Sequence, residues 1–445
     1  MRKFYLFAFA FLSSTFCTIA AEDFYSDGIR YEILTDSTVS VVHLGNLDNI
    51  APGDNDPKYQ GDITIPATVS HEGVDYHVEY IDSYAFCKSD NLFSVTISDG
   101  VEYIFDHAFD RCVNLKQINI PNSIVSIDDD AFSGTVWFNE LPDGVVYAGS
   151  VAYIYKGEMP KDTSIVIKDG IVSISSNAFD GCSNLVSIQI PSSVMTIGSY
   201  AFRNCSKLAD ISVPASVTSI GIHAFDETAW YNSQPDGVIY IGSMLYGHKG
   251  YVTEDTLVVR DGIQSINRQS VTSQRIKALI IPEGVTIIGV EAFYNCSRLD
   301  SISLPNSLII LSPLAFCQCQ SLNSITIPQN VLYLGYGVFE DSENITSVTS
   351  TAAVPPLAEP EAFEDAVYQN ATLYVPAQSL TAYQTAQTWA KFQNIQPIGT
   401  PTQIIKLNAN APTEYYDLSG QKINAPQKGL NIIKTQGKTQ KLHIE

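Results

Sequence analysis

Residues 185–203 read LVSIQIPSSVMTIGSYAFR. Leu185, Ile188 and Ile190 are spaced as a short strand that buries one face, because successive side chains on a strand point to opposite sides. Pro191 ends that strand, since proline cannot donate the next ladder hydrogen bond. Val194 and Ile197 bring the chain inward again, Gly198 follows, and Ala201-Phe202 offers a small and a large residue to an interior. One such stretch cannot enclose a core. It must stack on copies of itself.

The copies are present. Ile120-Pro121, Ile190-Pro191, Val213-Pro214, Ile281-Pro282, Leu304-Pro305 and Ile327-Pro328 each close an apolar-alternating run, and the step is 23 residues from 168 to 191 to 214 and from 282 to 305 to 328. Ala-Phe recurs at Ala85-Phe86, Ala108-Phe109, Ala131-Phe132, Ala178-Phe179, Ala201-Phe202, Ala224-Phe225, Ala292-Phe293 and Ala315-Phe316. Departures are local: Ser98, Lys168 and Arg260 stand in the proline slot, and Val338-Phe339 replaces Ala-Phe. This period predicts a β-rich solenoid of ~23-residue coils. Two longer steps hold inserts, TVWFNELPDGVVYAGSVAYIYKG from Thr135 and TAWYNSQPDGVIYIGSMLYGHKG from Thr228, identical at 13 of 23 positions with an offset of 93. Pro-Asp-Gly at 142–144 and 235–237 predicts the turn of a hairpin between aromatic-rich strands, so the body is a duplication.

The joint recurrence of I-P, I-G, A-F and C resembles the BspA-like leucine-rich repeats of surface proteins from Bacteroidetes and some protozoa. The W-[FY]-N…P-D-G block of the inserts is similar to one carried by the same family. The resemblance covers roughly residues 60 to 350. It implies a leucine-rich-repeat right-handed superhelix with two hairpin-bearing inserts, located at a cell surface or secreted. It also implies host matrix proteins, host cells or other bacteria as partners.

The ends read differently. Arg2 and Lys3, the apolar run Phe4–Leu12 and the small residues Ala20 and Ala21 predict a signal peptide over 1–21, hence an exported protein. Its removal takes the formal charge from −22 to −24. Residues 22–60 lack the repeat and are expected to cap it, with the solenoid over 61–350. A second cap over 351–400 is expected to carry an amphipathic helix from Ser379 to Phe392, on the spacing of Leu380, Tyr383, Ala386 and Trp389. A composition shift then marks residues 401–445, where six lysines face Glu414, Asp417 and Glu445. This small antiparallel β tail resembles the C-terminal sorting-type domain of Bacteroidetes secreted proteins, through Tyr416-Asp417-Leu418, Gly420 and Lys428-Gly429. The likeness implies export and surface attachment.

An excess of 47 Asp+Glu over 25 Lys+Arg argues against nucleic acid, whose recognition needs basic residues to displace counterions. No apolar run after the leader is long enough for a membrane-spanning helix. Cys112, Cys182, Cys205, Cys296 and Cys319 share one slot, three residues after the repeat phenylalanine, and read as small buried hydrophobes. His107 and His223 share a slot several coils apart, no histidine spacing suits zinc, and neither Asp54–Asp56 nor Asp128–Asp130 has a full calcium loop. No catalytic or nucleotide-binding motif stands out. The expectation is therefore a non-enzyme without metal or cofactor, and a monomer.

What remains is surface. Gln189, Ser212 and Thr326, with Thr96, Asn119 and Ser303, face outward on the strands and offer hydrogen-bonding groups at low entropy cost. The insert aromatics Trp137, Phe138, Tyr147, Trp230, Tyr231 and Tyr240 are further candidate contacts, though their recurrence at one repeat phase equally suits core packing. The partner is a protein or a glycan. A glycan-binding accessory protein and a structural envelope component stand as alternatives to an adhesin-like binder.

Overall fold

The computed structural model describes residues 22–45, 52–53 and 55–399, together with the backbone of four strands beyond them. The leader over 1–21 and Asp54 of the Asp54–Asp56 cluster lie outside the described residues. The chain divides into two compact units, Met1–Pro397 and Ile398–Glu445.

The first unit is a β-solenoid of about 14 turns with ~23-residue coils. Neighbouring coils are tied by up to three ladders, which are interrupted at the inserts. In the first, strands such as Leu185–Gln189 and Asp210–Ser212 run parallel, with Ile188 opposite Ile211 and Gln189 opposite Ser212. Ile188 is buried and Gln189 exposed, which is the inside–outside alternation set by the period of two. The second ladder joins two-residue strands, among them Ser173–Ile174, Thr196–Ile197 and Ser219–Ile220. Gly198 and Gly221 sit beside it, where an added Cβ would lie 2.2 Å and 2.1 Å from the backbone nitrogens of Ser176 and Ser199. Only glycine permits that approach.

The third ladder surrounds Ala-Phe. Phe86 N–H donates to Ala108 O at 2.7 Å, Phe109 to Ala131 O at 2.7 Å and Phe202 to Ala224 O at 2.7 Å. Two residues of most coils, one just before Ala and one two after Phe, have left-handed φ, as in Tyr84 and Lys88, His107 and Arg111, and Leu314 and Gln318. Their N–H groups donate to the next coil as well. The phenylalanines stack with nearly parallel rings: Phe86 on Phe109 on Phe132, Phe179 on Phe202 on Phe225, and Phe293 through Phe316 and Phe339 to Phe363, at 4.9–5.8 Å. Between Phe225 and Phe293 the Ala-Phe slot holds Ser270-Val271 instead.

The ends of this column are closed by aromatic side chains. Tyr59 lies 4.4 Å from Phe86 and donates its hydroxyl to Val42 O at 2.7 Å. The strands Asp23–Ser26, Ile29–Ile33 and Thr38–Val42 form a meander whose last strand pairs with Val74–Ile81. Coil stacking continues past residue 350, with strands Ser347–Ser350, Thr372–Val375 and Asn394–Pro397 in one parallel ladder. The helix expected over 379–392 is shorter. It runs Leu380–Thr385, and Ala386 is extended before a 3-10 turn at Trp389–Lys391. The break lets Trp389 enter the core, where its Nε1 donates to Pro356 O at 2.7 Å, and brings it and Phe392 against Phe363.

In the second unit Lys422–Ile423, Thr413–Tyr416, Gly429–Thr435 and Lys438–Ile444 form an antiparallel sheet in that order.

Candidate binding face

The inserts differ from the expected form. Each opens on a helix, Val136–Glu140 or Ala229–Asn232. Thr135 and Thr228 cap them: each hydroxyl accepts from the N–H of Phe138 or Tyr231 and donates to the carbonyl of Phe132 or Phe225. Pro-Asp-Gly is therefore not the hairpin turn. It ends the helix and begins the first strand, and the hairpin bends at Gly149-Ser150 between Gly144–Ala148 and Val151–Lys156. The second insert repeats this, with Gly237–Ile241 against Met244–Lys249. Lys249 Nζ donates to Asn232 O at 2.8 Å and Gln234 O at 2.9 Å, clamping helix end to strand, and Lys156 contacts Asn139 and Leu141 in the same way.

This geometry places the six insert candidates. Trp137 and Trp230 are half-buried, set edge-on to Phe132 at 4.8 Å and Phe225 at 5.6 Å. They close the phenylalanine column where the insert interrupts it. Phe138 is half-buried with its ring 6.2 Å from Tyr153, and Lys156 lies 5.7 Å from its centroid. Tyr231 donates its hydroxyl to His248 O at 3.3 Å. Tyr147 and Tyr240 are covered on one face by the cations of Lys168, 4.1 Å from the ring centroid, and Arg260, at 4.5 Å. The two basic residues that break the proline rule are thus lids on the two insert tyrosines.

The strand candidates lie elsewhere. Gln189, Ser212 and Thr326 are exposed, as are Thr96, Asn119 and Ser303. Register aligns Thr64, Thr96 and Asn119 in one run, Val166, Gln189 and Ser212 in the next, then Val258, Ile280 and Ser303, then Thr326, Thr349 and Tyr374. A second outward column includes Ser164 and Ser187, whose hydroxyls meet at 2.8 Å. Sequence reading of this face missed Val166, Val258 and Ile280, exposed at 66%, 58% and 44%. The phase was legible: each stands one residue after an inward Ile or Leu. The result is a mostly neutral polar face carrying a few apolar side chains, with Val166 apart and Val258 and Ile280 adjacent.

Acidity gathers on another side. Ser83 donates to Asp106, and Asn177 Nδ2 donates to Asp129 Oδ2 at 2.5 Å. Burial, with Asp106 and Asp129 nearby, pushes the Asp128 carboxyl up to about 7. Among the described residues, three or more metal-binding side chains converge in one place, and it is not Asp128–Asp130. Glu22, His71 and Glu72 place one ligand atom each within 4.8 Å of one another. Sequence spacing gave no sign of this, because Glu22 lies far from His71 in the chain.

The seven described cysteines are free. Cys112 Sγ–H donates to Phe86 O at 2.9 Å, Cys205 to Phe179 O at 3.1 Å and Cys296 to Val271 O at 3.1 Å, each bridging to the preceding coil. Burial pushes the Cys112 and Cys296 thiols up to about 12, so little thiolate exists near neutral pH.

Comparison with a family model agrees with this repeat architecture. The family model for the BspA type leucine rich repeat region matches in six copies, over residues 73–155, 151–249 and 240–370. A leucine-rich cell surface protein from Faecalibacterium prausnitzii A2-165 is 22% identical, with 86% of this chain and 97% of that one covered and a TM-score of 0.30. The pneumococcal vaccine antigen PcpA is 18% identical, covering 86% and 99%, with a TM-score of 0.32. A leucine-rich repeat protein from Bacteroides ovatus ATCC 8483 is 20% identical, covering 85% and 100%, with a TM-score of 0.28. No curated protein matches the chain.

Proposed function

Because the chain belongs to the BspA type leucine-rich repeat family, we propose that it is a cell-surface protein that binds a macromolecular partner without covalent chemistry. The outward face of the first strand ladder is the binding face. One observation carries this reading: small neutral side chains stand exposed and in register, coil after coil, with Val166, Val258 and Ile280 set among them. Such a face meets an extended partner with many hydrogen-bonding groups that lose little side-chain entropy on binding. Its apolar residues supply the anchors that polar contacts alone lack.

The partner this face suits best is an extracellular protein, which makes the molecule adhesin-like. The leader over 1–21 and the sorting-type tail after residue 400 carry it to the surface in this reading, with the solenoid acting as a monomer. The test is label-free binding of the purified chain to fibronectin, fibrinogen, laminin, mucin and soluble polysaccharides at physiological salt. Saturable binding to one of the proteins is expected. Binding to polysaccharide alone would transfer the chain to the glycan-accessory class, and silence across the panel would leave a structural envelope component.

A further inference from the structure

We propose that Glu22, His71 and Glu72 form a binding site for a divalent transition-metal ion of the zinc class. The site belongs to the N-terminal meander and is separate from the strand face. Each of the three offers a ligand atom, and these atoms lie within 4.8 Å of one another, with Glu22 and Glu72 exposed and His71 half-buried. Zinc with bonds of ~2.0–2.2 Å holds tetrahedral ligands roughly 3.3–3.5 Å apart. The three groups therefore close on an ion by a shift of about 1 Å, within reach of two exposed glutamate side chains.

A second observation concerns the imidazole, the least mobile ligand of the set. The His71 ring lies flat on Phe24, with centroids 4.1 Å apart and planes at 7°. Phe24 is itself buried against Tyr31 at 5.4 Å and Tyr76 at 6.1 Å. Backbone contacts fix the other two positions. Ile33 N–H donates to Glu22 O at 2.9 Å, and Glu72 is held in a two-residue hairpin turn with Gly73, closed by the pair His71 and Val74. The nitrogen ligand is thus pre-oriented while the carboxylates adjust.

The donor set selects the metal class. One imidazole and two carboxylates suit zinc, copper or nickel, whereas calcium asks for six to eight oxygens. Three protein ligands leave at least one coordination position for water. The bound ion would join the start of the first strand to the hairpin that begins the solenoid, so its effect is to brace this end of the molecule.

The experiment is isothermal titration of the full, untagged chain with zinc chloride, alongside His71→Ala, Glu72→Gln and, as a control outside the cluster, His77→Ala. One equivalent of zinc is expected with a micromolar Kd, weakened at least tenfold in the first two variants and unchanged in the third. Cobalt absorption on the wild-type chain gives a reading that does not depend on the variants folding: bands of mixed nitrogen and oxygen coordination are expected. No saturable zinc binding, equal binding in His71→Ala with its circular dichroism intact, or calcium binding as tightly as zinc would overturn the assignment.

Discussion

Lys168 and Arg260 occupy the slot where most coils carry proline, and each covers the ring of an insert tyrosine. Arg260 does more: its N–H donates to the Tyr240 hydroxyl at 3.4 Å and its Nη2 to Gly242 O at 3.2 Å. Restoring the repeat consensus with Arg260→Pro removes a cation–π contact and both donors. It is expected to lower stability by about 1–2 kcal/mol in urea melts, and a gain in stability would contradict the lid role. Asp128 makes a pH-dependent prediction. Its folded carboxyl titrates near 7, above the ordinary value of 3.8, so the native state holds the proton more tightly between those values. Stability from this group is present at acid pH and declines as pH rises from about 4 to about 7. Asp128→Asn is expected to flatten that decline, by on the order of 1–2 kcal/mol after allowance for the solvent reaching a half-buried group. Melting curves at pH 5 and 8 measure it, and an unchanged slope would place the titration elsewhere. At this scale the sequence conceals much. Left-handed φ falls on Tyr84, Lys88, Glu291 and Leu314, and nothing in those side chains announces it. In other coils glycine, asparagine or aspartate marks the slot, as at Gly337, Asn204 and Asp130.

The insert is the element whose form the sequence half disclosed. Its duplication, its aromatic content and its hairpin were readable from composition and spacing. Its helix was not, because Val136–Glu140 and Ala229–Asn232 are too short to show a helical period, and Pro-Asp-Gly is as good a helix stop as a hairpin turn. Physically the insert is an internal cap. Trp230 and Tyr246 meet Phe225 edge-on, and the next coil offers Val271 rather than another phenylalanine. Trp230→Ala is therefore expected to cost roughly 2–3 kcal/mol, less than the roughly 3–5 kcal/mol of Phe202→Ala, which empties a site enclosed by Phe179 and Phe225. Chemical denaturation of both variants tests the order. A Trp230→Ala protein as stable as wild type would return the tryptophan to the list of surface contacts.

Across the solenoid unit, the core falls into three segments that meet at the inserts, with Ala152 and Tyr153 at one junction and Leu245 and Tyr246 at the other. The strand face runs through coils of all three. The period, the inward residues and the outward phase were legible in the sequence because each coil repeats them. Val166, Val258 and Ile280 escaped notice because an apolar residue beside an apolar residue reads as core until the register is known. The N-terminal metal ligands escaped for another reason: only the folded meander brings Glu22 to His71. The central claim is that the partner meets the strand face rather than the insert aromatics. Its most direct test compares wild type with Gln189→Arg/Ser212→Arg for binding to whichever panel protein saturates. These adjacent exposed positions are expected to tolerate arginine without loss of fold while binding weakens at least tenfold. Unchanged binding by the folded double variant, together with loss of binding in a folded Trp137→Ala/Trp230→Ala protein, would contradict the account and move the contact to the inserts.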